Sequence, residues 1–546
     1  MLKPRESLIS PECPNPPFHV MEEWMENFTY FPVTQGRPLP LKGLTLPELI
    51  KSRAERFGEK TLLRFKEKNV TYKEIDEKTD RLAKSFQKLG IKKGDRVGIM
   101  FQNCLEVIES YFAIWKSGAW AVPINPVFTS HEVEYVLSDA GAKMIIAGGK
   151  EYSRIEPIRE KVSSLETIVL RDGKRATNTI SYASLAKESQ KLRPIDLSSN
   201  DVCQIMYTSG TEGRPKGVMT THGGYTDNAF IKSSILELTE NDITLIPLPM
   251  FHMFAISTLL NFMTVGGEVI ITERFETEEV MDLIAENRVT FFTGVPTMYA
   301  YMLSHPEIDR YDLSSVRICI IAGGNVNYKI VEEFEKKFGC LFIESMGQTE
   351  LSPLVMINPP HRARRRLGSC GLTACNMETR LVDENDNDVP LGDVGELVVK
   401  SPCVMKGYYN LPEENEKAFR GGWYHTGDLL RQDKDGYYYF VDRKKDMIVT
   451  AGYNIYAKEL ENVLLGHPQV MEAAVIGVPD EVKGQLAKAL IVKKHGSTLT
   501  EDELEKYARE YLAPYKVPRI IEFVESLPHT PQGKIAKGKL RDIVGQ

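Results

Sequence analysis

The sequence predicts an α/β protein: a large N-terminal domain of parallel-rich α/β subdomains plus a small β module, followed by a small α+β C-terminal domain. Three observations predict it. The 546 residues exceed what one hydrophobic core serves, so two or more domains are expected. From Thr61 to about Ala322, short apolar runs alternate with helical spacing, the pattern of parallel strands with helices on the sheet faces. After about residue 370 the texture changes to short strands split by Asn-Asp and Asp-Gly turns, which points to antiparallel sheet.

Taken in order, residues 1–45 are rich in Pro and aromatics and read as an irregular wrap. Strands are expected at Thr61–Phe65, Asp95–Phe101, Ala119–Ile124 and Lys143–Ala147, with helices at Lys73–Leu89, Cys104–Lys116 and Ser130–Asp139. Strands follow at Thr244–Pro249, Glu268–Thr272, Phe291–Thr293 and Val316–Ala322. The β module, about residues 370–442, offers Glu378–Val382, Gly395–Lys400 and Tyr437–Val441. Asp442–Asp446 reads as a charged connector, so the domains are drawn as 1–442 and 443–546. The second contains helices Ala457–Leu464 and Glu501–Leu512 and strands Glu472–Val478, Ala487–Val492 and Arg519–Val524.

Composition narrows the function classes. A net charge of -7 argues against a general nucleic-acid binder. Eight cysteines without a C-x-x-C pair, and no basic-apolar-small leader, read as reduced thiols in a cytoplasmic protein. Ten histidines form no H-x-x-x-H or Cys/His cluster, so no transition-metal site is expected. No apolar run is long enough to span a bilayer, because Tyr111–Pro123 is broken by Lys116, Gly118 and Pro123. Peripheral membrane contact stays open for a lipid substrate, and so does a homodimer.

The run Tyr207–Gly217 concentrates the chemistry. The hydroxyls of Thr208, Ser209 and Thr211 stand among Gly210, Gly213 and Gly217, with Arg214 and Lys216 as cations. Glycines let a loop turn its N–H groups onto an anion, hydroxyls add donors, and the cations neutralise phosphate. A Walker A loop cannot be laid on it, because Pro215 occupies the place of the second glycine.

Further motifs follow in order: Pro247–Ile256 with His252, Ala322-Gly323-Gly324, Glu344–Glu350, Tyr424–Asp428, Asp442–Asp446 running on through Gly452–Glu459, and Pro528–Ile535. Singly, each has a plain reading. Tyr424–Asp428 could be a capped turn, Arg443–Asp446 a solvated face, Met346 and His252 core residues, Lys534 a surface lysine. Together, in this order, they resemble the adenylate-forming superfamily, acyl-CoA synthetase branch, most like bacterial long-chain-fatty-acid–CoA ligases. Departures from the family wording are Glu212, Ala255, Asn325, Met346 and Ala457.

The resemblance implies an acid–thiol ligase using ATP, Mg2+ and coenzyme A on a small-molecule carboxylic acid. The acid would be a medium- to long-chain fatty acid, or alternatively an alicyclic or aromatic acid. It assigns ATP binding to Thr208, Ser209, Gly210, Thr211, Gly213, Lys216, Gly323, Gly324, Asn325, Glu344, Met346, Gly347, Asp428 and Arg443. Lys534, Glu350, Thr349 and His252 would be catalytic, with Glu350 and Thr211 on Mg2+. His252, Met253, Ala255, Gly324 and Gln348 would line the acyl pocket. Lys445 would be the hinge of a mobile lid domain whose Gly452 and Tyr453 meet CoA. The basic run Arg362 and Arg364–Arg366 is either a clamp for a CoA phosphate or a solvated loop, the second being preferred. A carrier-protein-dependent adenylating enzyme would need an acid for a substrate ammonium, and Met250–Thr258 has none. A non-catalytic relative would be expected to lack Lys534, Glu350 or Asp428, and all are present.

Overall fold

The computed structural model describes residues 43–172, 177–188, 192–193, 195–208, 215–322, 326, 328–529 and 535–544. Two large sheets, a small antiparallel sheet and a C-terminal sheet make up the architecture. The first large sheet has eight strands, with Val202–Thr208, Trp120–Pro123, Arg96–Met100 and Met144–Ala147 adjacent and parallel. The second has nine, parallel from Leu341–Gly347 through Ile318–Ile321, Phe291–Gly294, Ile243–Ile246 and Glu268–Ile271 to Thr61–Phe65. The second ends in antiparallel pairs at both edges, the first at one edge only. The central strands are apolar on both faces, as parallel strands covered by helices must be: Met144–Ala147 and Ile318–Ile321 are buried at every residue.

Helices His222–Ile235 and Met253–Val265 explain how the two sheets share one core. Both are buried almost all round rather than along one stripe, which fits helices enclosed on every side. Around them a single cluster runs from Leu46 through Trp115, Tyr225 and Leu259 to Tyr438. Helix Tyr72–Lys88 shows the ordinary case. Thr71 caps it, with Glu74 returning a hydrogen bond, and its first turns bury one face, at Tyr72, Ile75 and Thr79.

The four-stranded antiparallel sheet Glu378–Val382, Val394–Lys400, Tyr424–Gln432, Tyr438–Arg443 matches the expected β module. The connector reading of Asp442–Asp446 is corrected in part. Asp442 and Arg443 complete a strand, and only Lys444–Asp446 forms a short 3-10 turn. Asp442 is held there because its carboxylate accepts from the N–H of Arg443 (2.7 Å) and of Lys458 (3.1 Å). The C-terminal unit is a five-stranded sheet, with helix Ala457–Leu465 among those packed on it. No described helix is long and apolar enough to cross a membrane.

Asp242 pins the second sheet. It is 4% exposed and accepts from Thr239 N (2.8 Å), Thr290 Oγ1 (2.8 Å) and both Nε and Nη2 of Arg317 (3.0 and 2.8 Å). Burial pushes its carboxyl up, but Arg317 and these donors outweigh burial and hold it below the usual range. Its stabilisation is therefore present above the unfolded aspartate value of about 3.9 and is lost as pH falls through the lower folded value. Asp242→Asn should cost about 3 kcal/mol near neutral pH. The gap between mutant and wild-type unfolding midpoints should shrink below about pH 4; a gap independent of pH would count against the ion pair.

Candidate active site

The glycine-rich residues join two paired antiparallel strands. Thr208 ends Val202–Thr208 opposite Lys216, which begins Lys216–Thr221. Both legs are anchored from outside. Tyr207 donates to Asp139 (2.6 Å), and Tyr135 donates to the Pro215 carbonyl (3.0 Å). Lys216 is ion-paired with Glu414 and lies 5.4 Å from the Tyr408 ring centroid. Ser209, Gly210, Thr211 and Gly213 lie outside the described residues, as do Gly323, Gly324, Asn325 and Lys534.

Strand Leu341–Gly347 and the turn Thr349–Leu351 place the Glu344–Glu350 motif. Gly347 is required by contact, since a Cβ there would sit 1.9 Å from the Pro353 carbonyl oxygen. Met346 is half-buried opposite Met356. Glu344 accepts from Tyr328 Oη (3.0 Å) and Gly368 N (2.9 Å), and burial pushes its carboxyl up to about 7. Glu350 accepts from Tyr408 Oη (3.2 Å); burial raises its carboxyl too, against the charge of nearby Arg443.

Asp428 is the centre of the polar network. It is 2% exposed and meets Arg443 Nε at 2.6 Å across paired strands. Asp428 is the first cause of the raised Arg443 pKa. Gln348 Nε2 donates to Asp428 (2.5 Å) and to the Thr426 carbonyl (3.0 Å), and Tyr424 Oη donates to Gln348 Oε1 (3.1 Å). Gln348, read as an acyl-pocket residue, is thus brought against Asp428.

Asn103, unmarked in the sequence, orders the Pro247–Ile256 segment. Its amide donates to the carbonyls of Leu248 (2.9 Å) and Thr272 (3.1 Å) and accepts from Met250 N (2.8 Å). Tyr111 Oη adds a bond to the Met250 carbonyl (3.0 Å). His252 caps helix Met253–Val265, its ring accepting from Phe254 N (3.3 Å). Met253 and Ala255 are buried in the core, while His252 and Phe254 keep some exposure. Asn103, Tyr408 and Glu414 escaped the sequence reading because their partners are distant in sequence and no local pattern marks them.

Lys445 sits in the 3-10 turn, and desolvation lowers its pKa. On one side Lys444 pairs with Glu396 (2.9 Å); on the other Asp446 pairs with Arg541. Gly452 has φ +82°, which favours glycine, in the turn between Ile448–Thr450 and Tyr453–Ile455. Tyr453 is 57% exposed, its ring 4.8 Å from that of Tyr515. The arginine run is built into the fold. Arg362 and Arg365 both pair with Glu335, and Arg366 pairs with Asp433 (2.5 Å) and Asp435 (2.6 Å).

Two large, mostly parallel sheets, paired strands flanking a hydroxyl- and glycine-rich sequence, and a buried aspartate paired with an arginine beside a second acid make up the candidate site. The sequence profile of the AMP-binding enzyme family matches residues 50–409, and that of the AMP-binding enzyme C-terminal domain matches residues 459–534. The chain belongs to this family. It is similar to the long-chain-fatty-acid–CoA ligase of Bacillus subtilis (strain 168), 33% identical over 92% of this chain and 95% of that one. It is 36% identical to the feruloyl-CoA synthase of an Amycolatopsis species, over 87% and 94% of the two chains. Among solved structures, the anthranilate CoA ligase AuaEII in complex with anthranoyl-AMP superposes with a TM-score of 0.85 at 29% identity, covering 92% and 97%. The protein is an AMP-forming acyl-CoA synthetase, an ATP-dependent acid–CoA ligase that works through an acyl-adenylate.

Proposed function

We propose that this chain joins CoA to a hydrophobic acid, in the first reading a medium- to long-chain fatty acid, with its own residues in the following roles. One carboxylate oxygen attacks the ATP α-phosphorus and pyrophosphate leaves, giving a mixed anhydride. The CoA sulfur then attacks the acyl carbon, and AMP leaves with the bridging oxygen. Neither step needs a covalent enzyme intermediate, so positioning and charge stabilisation carry the catalysis.

The observation that carries the reading is the Gln348–Asp428–Arg443 network beside Tyr408–Glu350. A carboxylate has about four lone-pair sites, so Asp428 can accept from both ribose hydroxyls while keeping its protein partners. Arg443 adds a donor to the ribose. Thr208, Ser209, Thr211 and Lys216 hold the β- and γ-phosphates, with Gly210 and Gly213 as the conformationally permissive positions between them. Gly323, Gly324, Asn325, Glu344, Met346 and Gly347 line the adenine side. Met346 offers a thioether face where an aromatic would stack, a looser contact.

Glu350 fits a hard divalent cation. It is an oxygen donor whose burial already disfavours its bare charge, which a bound cation would offset. Together with Thr211 it would hold Mg2+, with Thr349 adjacent; the ion would supply charge neutralisation on the phosphates. Lys534 bridges the acid carboxylate and the α-phosphate. His252, with Met253 and Ala255 behind it, shapes the entry to the acyl pocket. The boundary near residues 442–443 separates a body from a lid. Turning about Lys445 withdraws Lys534 and brings Gly452 and Tyr453 to CoA.

An aromatic acid is the second reading, favoured by the 36% identity to a feruloyl-CoA synthase. The deciding experiment is AMP release from ATP across acids from acetate through benzoate and cyclohexanecarboxylate to palmitate, with and without CoA. CoA-dependent AMP release is expected, strongest with the hydrophobic acids. AMP release that ignores CoA would point to another acceptor and overturn the reading.

A further inference from the structure

Lys232 is a charged residue in the wrong place for structure alone. It is 3% exposed on helix His222–Ile235. Its ammonium lies 5.4 Å from the centroid of the Phe254 ring. Among the described residues no carboxylate or carbonyl oxygen pairs with it. Burial pulls its pKa down to about 8. A ring face offsets only part of what it costs to take an ammonium out of water. The chain therefore leaves this ammonium short of a partner.

Its position says where that partner comes from. Asn228 stands four residues earlier, and residues four apart share a helix face. Asn228 binds the carbonyls of Leu351 (3.4 Å) and Leu354 (3.1 Å), so it touches the turn that carries Glu350. Lys232 touches Phe254, two residues after His252. This face thus runs from the Glu350 turn to the His252–Phe254 segment, the two segments assigned above to adenylation and to the acyl group.

We infer that Lys232 is a specificity-determining residue that receives the far end of the acid, which carries an oxygen acceptor, foremost a second carboxylate, remote from the reacting carboxyl. The inference rests on the ligase reading and, within it, sets an acid oxygenated at its far end in place of the methyl-ended fatty acid of the first substrate reading. The apolar body of the acid would lie along Phe254, and its distal oxygen would complete the hydrogen bonding of the ammonium.

The test uses pairs of acids matched in length, one ending in a methyl or plain phenyl group and the other in a carboxylate or ring oxygen. Wild type should favour the oxygenated member by roughly tenfold or more in kcat/KM, because a buried donor rejects a substrate that leaves it unpaired. Lys232→Met should reverse the preference, mainly through KM. The wild-type comparison needs no variant, so a Lys232→Met protein that fails to fold leaves the inference exposed to refutation. Wild type preferring the methyl-ended acids, or a variant slowed equally on both members, would overturn the role of Lys232 while the ligase reading stands. No thioester with any acid would overturn both.

Discussion

Lys534→Ala is expected to lower acyl-AMP formation by about 10²–10³-fold, the usual cost of removing one donor from a developing charge. Thioester formation from supplied acyl-AMP should stay near the wild-type rate. The reason lies in the two steps. Charge builds on the α-phosphate during adenylation, where a cation between phosphate and carboxylate is worth most. In the second step the phosphate is a leaving group, and the lid is proposed to have carried Lys534 away. Lys445→Pro should show the opposite pattern, impairing overall turnover more than adenylate formation, because it stiffens the turn about which the lid moves. Single-turnover measurement of each half-reaction separates these outcomes. Equal loss of both steps in Lys534→Ala would refute its role, and parallel losses in Lys445→Pro would refute the hinge.

Asp428→Ala is expected to raise the KM for ATP on the order of 10²-fold, since hydrogen bonds to a charged group contribute about 1.5–3 kcal/mol each. The substitution removes the proposed ribose acceptor. It also leaves Arg443, 2.6 Å away, and Gln348, 2.5 Å away, without their buried partner. The KM for the acid should move far less, because Asp428 is assigned to the nucleotide alone. Kinetics with ATP and acid varied in turn make the distinction. An unchanged KM for ATP would remove Asp428 from the nucleotide site.

The fold was legible wherever local pattern decides it. Strands Thr61–Phe65 and Glu378–Val382 fall at the expected residues, and helix Leu105–Lys116 begins one residue later than expected. Alternation, turn residues and caps are written in adjacent positions. The Asp442–Arg443 strand was not legible, because its charge resembles a solvated run. What makes it a strand is pairing with Asp428–Leu429 and the N–H of Lys458, both remote in sequence.

The candidate site divides in the same way. Asp428, Arg443 and Glu350 stand out as motif residues, and the fold brings them into one network. Lys232 does not, because a lysine in a helical sequence ordinarily reads as a surface residue; only burial on every side and the Phe254 ring mark it. Asn103 is likewise one asparagine among many until its bonds to Leu248, Met250 and Thr272 are seen. The arginine run shows the reverse error to guard against. It is conspicuous in sequence, yet three of its cations serve Glu335, Asp433 and Asp435 within the fold.

The most direct test of the acyl-adenylate route follows the oxygen atoms. An acid labelled with 18O in both carboxylate oxygens, turned over with ATP and CoA, should yield AMP carrying one labelled oxygen and a thioester carrying the other. That result requires the carboxylate to have been bonded to the α-phosphorus. Unlabelled AMP, or label appearing in inorganic phosphate with ADP as the nucleotide product, would contradict it.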